Sequence, residues 1–311
     1  MEVCSPRAWS VVIGVAVALT LGWGGSACAG TGVGTRPADA SPAIPVVAST
    51  NVYGDVVKQI GADKVDVVSI ISDPAQDPHS YEAGTRNQLE LAEAKVVVEN
   101  GGGYDDFVQR MLRSSGNASA EVINVVEVSG KDPDASGQLN EHVWYDFPTM
   151  GKVADRIADA LTKAAPAHGA DFQRNAKTFQ DNLAVLEERT ARINARHAGT
   201  AVAVTEPVPL YLAEASGLVN KTPADFSEAI EEGDDVSPRS LRDTLALFTG
   251  NQVEALVYNE QTAGPQTEKV KQAAEDNGIP VVPMTETLPA GKDYIGWMSS
   301  NVDALVNALD R

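Results

Sequence analysis

Cysteine is almost absent from this chain. The 311 residues contain only Cys4 and Cys28, both near the N-terminus. Beyond residue 28 there is therefore no disulfide, no thiolate ligand and no thiol nucleophile, so any metal site must use His, Asp or Glu. Aromatic residues are scarce at 5%, which leaves a largely aliphatic core drawn from a 43% hydrophobic composition. Basic residues are also few, 24 against 43 acidic, for a formal charge of −19. That balance repels nucleic-acid phosphates and anionic lipid headgroups and concentrates cations. No segment after residue 28 is long and apolar enough to span a bilayer, and neither G-x-x-x-x-G-K-[ST] nor H-E-x-x-H occurs. A membrane channel, a P-loop ATPase and a metalloprotease of the zincin type are thereby disfavoured.

The N-terminus reads as a targeting segment over residues 1–28. Arg7 gives a positive start, Ala8 to Trp23 an apolar stretch, and Gly24-Gly25-Ser26-Ala27 a small-residue cleavage zone. Cys28 follows directly, where a bacterial lipoprotein signal places the cysteine that is lipidated and becomes the mature N-terminus. Gly25 stands where leucine is usual; the alternative is ordinary cleavage at Ala27-Cys28-Ala29, which would leave a secreted or periplasmic soluble protein. Residues 29–43, rich in Gly, Ala, Thr, Ser and Pro, suit a flexible tether outside the cytoplasm.

From Ile44 onward, short apolar runs alternate with helical patterns. Strands are expected at 44–47, 65–71, 95–98 and 122–126, with helices at 52–60, 85–94 and 104–112. A second set follows, with strands at 200–204, 255–258 and 279–283 and helices at 210–216, 238–249 and 264–277. Alternation of this kind predicts an α/β fold of two lobes, 44–167 and 199–311, each a parallel sheet flanked by helices. Between them, after a helical stretch over 147–165, residues 168–198 read as one long linking helix. Phe172, Ala176, Phe179, Leu183, Leu186, Thr190 and Ile193 recur at spacings of four and three to form its seam, and no Pro or Gly interrupts 170–197.

Of four histidines, His168 and His197 sit in polar, turn-like contexts at the ends of that helix and read as solvated. His79, in Asp73-Pro-Ala-Gln-Asp-Pro-His-Ser-Tyr-Glu82, and His142, in Asn140-Glu-His-Val-Trp-Tyr-Asp146, instead follow expected parallel strands, on the edge where open α/β sheets bind ligands. Glu206 and Glu286 occupy the same edge of the second lobe, with Glu260 a rival for the last position. Asp77, Glu82 and Asp146 are near enough in sequence to accept the second imidazole N–H of a ligating histidine. The acidic run Glu228, Glu231, Glu232, Asp234 and Asp235 reads as a solvated loop. On the residues alone, two histidines and two carboxylates are compatible with a bound transition metal, a catalytic zinc in a hydrolase or a site for a chelated metal.

Five motifs in order carry a resemblance over the whole body: Asp77-Pro-His79 with Tyr81-Glu82; His142-Val-Trp-Tyr-Asp146; Thr205-Glu206-Pro with Tyr211-Leu-Ala-Glu-Ala-Ser-Gly-Leu218; Tyr258-Asn-Glu260; and Ile279-Pro-Val-Val-Pro-Met-Thr-Glu286. The sequence resembles the zinc/manganese family of ABC-transporter solute-binding proteins, the cluster with a rigid linking helix. The resemblance implies His79, His142, Glu206 and Glu286 as ligands of a zinc or manganese ion that is cargo rather than catalytic cofactor. It also implies a non-enzymatic, monomeric protein that serves a membrane permease with a separate ATPase. Departures bear on the metal: Asn140-Glu141 replaces the common Asp-Pro, Glu206 stands where many zinc importers have histidine, and residues 127–141 lack a histidine-rich loop.

Overall fold

Two four-stranded sheets, each wholly parallel, organise the chain. The structure, a computed structural model, describes residues 42–73, 81, 84–133 and 139–311. The first sheet contains β1 (Ile44–Thr50), β2 (Val65–Ile71), β3 (Val96–Glu99) and β4 (Glu121–Asn124) in the order β2-β1-β3-β4. In the second, β5 (Ala201–Val204), β6 (Val219–Asn220), β7 (Ala255–Asn259) and β8 (Val281–Met284) repeat that order as β6-β5-β7-β8. Val46 faces Val67 on one side and Val96 on the other, and Val202 likewise faces Asn220 and Ala255. In each sheet the direction of strand addition reverses between the first and third strands, which opens a crevice at their carboxyl ends.

Helices cover both sheets. The first lobe carries α1 (Asn51–Gly61), α2 (Thr85–Glu93), α3 (Asp106–Ser115), α4 (Val125–Ser129) and α5 (Phe147–Ala164). Next comes α6 (Gly169–His197), followed in the second lobe by α7 (Leu210–Ala215), α8 (Ala224–Glu231), α9 (Pro238–Thr249), α10 (Pro265–Asp276) and α11 (Tyr294–Leu309). Local chemistry sets several starts: Asp146, Ser237 and Asp293 accept backbone N–H bonds as N-caps, with Pro148 and Pro238 in the first turns of α5 and α9. Sequence reading carried the fourth strand on to residue 126, whereas β4 stops at Asn124. The Asn124 side chain accepts the Glu127 N–H and starts α4 there. The sequence reading also left α8, β6 and α11 unassigned.

The 29 residues of α6 extend about 43 Å at ~1.5 Å per residue. Its buried residues include the whole expected seam, from Phe172 to Ile193. That seam lies in a single hydrophobic core running from Ile44, Val96 and Trp144 of the first lobe to Val204, Trp297 and Leu305 of the second. Polar contacts fasten α6 at both ends. Asn175 donates to the Ile60 carbonyl at 2.9 Å, and Gln180 donates to the Gly151 carbonyl at 3.0 Å. Further along, Arg189 donates to Ser299 at 2.6 Å and pairs with Asp303, while Arg196 and His197 reach Asp310 at 3.0 and 2.9 Å. The lobes also grip each other directly. The Asn51 side chain donates to the Leu288 carbonyl and accepts the Leu288 N–H, both at 2.9 Å, and Asp55 accepts the Tyr294 N–H at 2.8 Å.

Leu186→Ala should cost about 2–5 kcal/mol by removing a buried seam side chain, whereas Val185→Ala, 54% exposed, should stay within about 0.5 kcal/mol. Urea unfolding of the two variants measures the contrast. Similar losses would mean that α6 is not held by this seam.

Candidate metal centre

The loop bearing His142 is fixed from the crevice of the first sheet. Asn100, immediately after β3, donates its side-chain N–H to the Gly101 and Glu141 carbonyls, each at 3.0 Å, and its oxygen accepts the Tyr53 hydroxyl. The turn beneath uses left-handed backbone at Gly101, Gly102 and Gly103, with φ of 78°, 70° and 104°. Asp105 accepts the Asn100 and Gly101 N–H groups at 2.6 and 2.8 Å, while burial pushes its carboxyl above the usual carboxylate range. Beyond His142, a 3₁₀ turn buries Val143, Trp144 and Tyr145. Tyr145 donates its hydroxyl to the Thr285 carbonyl at 2.7 Å, and Trp144 accepts the Tyr294 hydroxyl through its carbonyl at 2.6 Å. This loop therefore packs against the second lobe as well as the first.

His142 itself is fully buried, with its ring edge-on to Tyr104 and Trp144. Its tautomer follows from Asn140. That amide donates through Nδ2 to the Pro207 carbonyl at 3.1 Å, so Oδ1 faces His142 and accepts its backbone N–H at 3.0 Å. The same oxygen lies 2.8 Å from Nδ1. An amide oxygen cannot donate, so Nδ1 carries a proton, and in the neutral ring Nε2 is the nitrogen left with a lone pair, on the opposite side.

Two buried glutamates stand on the second lobe's crevice, Glu206 two residues past β5 and Glu286 two residues past β8, each 1% exposed. Asn259, the last residue of β7, bridges them: its amide donates to Glu286 at 2.7 Å and to Glu206. Gln261 locks the Glu286 loop by accepting the Glu286 and Thr287 N–H groups at 2.6 and 3.1 Å. Across the cleft, Tyr104 donates to Glu286 at 3.4 Å, and His142 Nε2 lies 3.9 Å from Glu286. Burial, reinforced by the Glu286 charge, raises the Tyr104 phenol well above its ordinary range, so it remains a donor. His142 Nε2 faces Glu286, and Glu206 joins Glu286 through Asn259, donors of the kind that hold a cation.

Placement of the other sequence candidates is mixed. His79, Asp77, Glu82 and Cys28 lie outside the described residues. Glu260 is exposed, whereas Glu286 turns inward. Asp146 caps α5 by accepting the Thr149 N–H at 3.0 Å and pairs with Lys131 at 3.1 Å; the group beside His142 Nδ1 is the Asn140 amide instead. His168 meets Phe172 edge-on, and His197 pairs with Asp310, so both serve the ends of α6. The acidic run needs correction at two residues, since Glu228 and Glu231 both lie in α8 and are partly buried. Glu232, Asp234 and Asp235 are exposed as expected, but the Glu231 side chain is only 13% exposed and brings Oε1 to 3.4 Å from His142 Nε2. Ligand atoms of Glu141, His142 and Glu231 all lie within 4.8 Å of one another. Sequence spacing carries no signal for this, because Glu231 comes from the far end of α8.

A profile of the zinc-uptake complex component A, periplasmic (ZnuA), matches residues 46–308. The chain belongs to this family. Among its relatives, the manganese-binding lipoprotein MntA of Bacillus subtilis is 24% identical over 294 residues, covering 90% of this chain and 94% of its own. The iron-binding protein YfeA of Yersinia pestis is 23% identical over 286 residues, covering 88% and 89%. Among solved structures, FpvC from Pseudomonas aeruginosa in complex with Mn²⁺ superposes with a TM-score of 0.72 at 22% identity, over 86% of this chain and 98% of that one. The periplasmic zinc-binding protein TroA from Treponema pallidum gives 0.70 at 20%, over 86% and 100%. These structural likenesses establish the ZnuA-like fold: paired parallel sheets linked by one long helix.

Asn140→Ala removes the group that sets the His142 tautomer. Zinc affinity measured by calorimetry should fall about 10–100-fold, the usual effect of losing a partner behind a metal-bound histidine. Glu260→Ala should leave it unchanged. The reverse ranking would place the centre elsewhere.

Proposed function

We propose that the chain is the extracytoplasmic solute-binding component of an ABC importer, which captures one divalent transition-metal ion between its lobes and delivers it to the membrane permease. Membership of the ZnuA family supports a binding protein rather than an enzyme. The observation that carries the site is the convergence of the His142 Nε2 lone pair with Glu286 and, through Asn259, Glu206. The proposed ligands are His79, His142, Glu206 and Glu286, with the ion as cargo. The protein acts as a monomer whose permease works with a separate ATPase. Residues 1–28 direct export, Cys28 carries the lipid anchor, 29–43 tether the body, and 44–167, 168–198 and 199–311 are the first lobe, linking helix and second lobe. Names of relatives divide between manganese and iron, and solved neighbours carry Mn²⁺, Ni²⁺ or zinc. Zinc or manganese is the cargo favoured by two imidazoles and two carboxylates.

Rigidity shapes the mechanism. A strut fastened to both lobes and a core continuous between them oppose wide hinge opening. Capture therefore proceeds with small closure, and stability rises with metal as RT ln(1 + [L]/Kd), since the unfolded chain lacks the assembled site. Ligation needs neutral imidazole and ionised carboxylate, so protons compete with the ion and affinity falls as pH falls.

Each of His79→Ala, His142→Ala, Glu206→Ala and Glu286→Ala should weaken Zn²⁺ and Mn²⁺ binding by about tenfold or more. Saturating metal should raise the melting temperature while the radius of gyration from X-ray scattering changes little. A large change in radius, or a melting temperature indifferent to both metals, would overturn the mechanism.

A further inference from the structure

One carboxylate at the site is outside that ligand set. Glu231 is the last residue of α8, flanked by Glu228 and Glu232, and the last turn holds no basic residue. Negative charge at a helix C-terminus opposes the helix dipole, so local helix chemistry gives no reason for an acid there. Phe226, fully buried in the second lobe, anchors α8, and the helix carries the Glu231 carboxylate under cover against His142. Its 3.4 Å distance from Nε2 is shorter than the 3.9 Å of Glu286.

Two ligands about 2.1 Å from one ion at the tetrahedral angle stand about 3.4 Å apart, so the Glu231–His142 separation is that of neighbours in one coordination sphere. The nitrogen concerned is the one left with its lone pair by the Asn140 contact at Nδ1. Glu231 also lines a groove of about 360 Å³ with the exposed Glu232 and Asp234, so it stands between solvent-facing acids and the imidazole.

We propose that Glu231 is a further metal ligand, which the end of α8 brings to the centre and which tilts the site toward ions that accept five or six donors. This rests on the reading of the cleft as the cargo site. Zinc is satisfied by four ligands, whereas manganese takes six mainly oxygen donors. Removing Glu231 therefore subtracts from manganese what zinc can forgo.

The test is Glu231→Gln in the metal-stripped full chain, titrated with Mn²⁺ and with Zn²⁺ by calorimetry beside His142→Ala. Glu231→Gln should lower Mn²⁺ affinity about tenfold or more, as loss of a ligand does, while Zn²⁺ affinity falls less than about threefold. Melting of the metal-free variant should be unchanged or higher, because a helix-end repulsion is relieved, and its stabilisation by Mn²⁺ should shrink. Unchanged Mn²⁺ affinity would overturn the proposal, and equal losses for both metals would overturn the bias toward ions of higher coordination that it assigns to Glu231. Should His142→Ala also bind both metals normally, the cargo-site reading itself fails. Normal loss in His142→Ala with a silent Glu231→Gln rejects Glu231 alone.

Discussion

The close burial of two carboxyl groups, Glu206 and Glu286, is the constraint around which the second lobe is arranged. Both carboxyl groups are 1% exposed and accept from the Asn259 amide, and Tyr104 also donates to Glu286. Burying two ionised carboxylates side by side is costly, and such donors lower that cost. A polypeptide holds such an arrangement only if its surroundings cannot relax. Here Gln261 fixes the Glu286 backbone, Thr205 Oγ1 accepts the Asn259 N–H at 2.9 Å, and three parallel strands deliver the three residues to the same edge. The two carboxyl groups are thus held in an ordered arrangement.

The repeated strand order of the two sheets explains how the opposing half is built. Asn100 follows β3 as Asn259 ends β7, so equivalent positions in the two crevices both carry an amide. They are used differently. Asn100 holds a backbone carbonyl at Glu141 and thereby the loop of His142, whereas Asn259 holds carboxylates directly. One lobe thus presents an imidazole through a positioned loop and the other presents carboxyl groups from strand ends. Neither half alone assembles an imidazole and two carboxylates, so the centre depends on α6, α11 and the Asn51–Leu288 pair keeping the lobes in register.

Much of this was legible in the sequence for simple physical reasons. Parallel strands buried on both faces leave continuous apolar runs such as Val96-Val97-Val98, and the 29-residue α6 leaves a seam at helical spacing, so both patterns survive in one dimension. The turn of Asn124 from strand to helix did not survive, because Val125 and Val126 continue an apolar run while a side-chain cap decides the outcome. His142, Glu206 and Glu286 were visible from their places after strands. Asn140 and Glu231 were not: an asparagine acting through a ring nitrogen has no spacing rule, and an acid in a charged run looks solvated until the fold turns α8 toward the cleft.

Cargo choice follows from the limits of ligand chemistry. Any nitrogen and oxygen donor set holds zinc more tightly than manganese at equal coordination, so affinity ranking cannot by itself favour manganese. What the protein controls is donor number and rigidity. A site confined to four ligands matches zinc's tetrahedral preference and gives manganese nothing in return, while each added carboxylate helps the larger coordination sphere and leaves zinc over-supplied. With a strut that resists wide opening, the lobes cannot reshape themselves to suit each ion. Under the proposed ligand set, selection depends on which carboxylates reach the centre, and the position of α8 enters through Glu231.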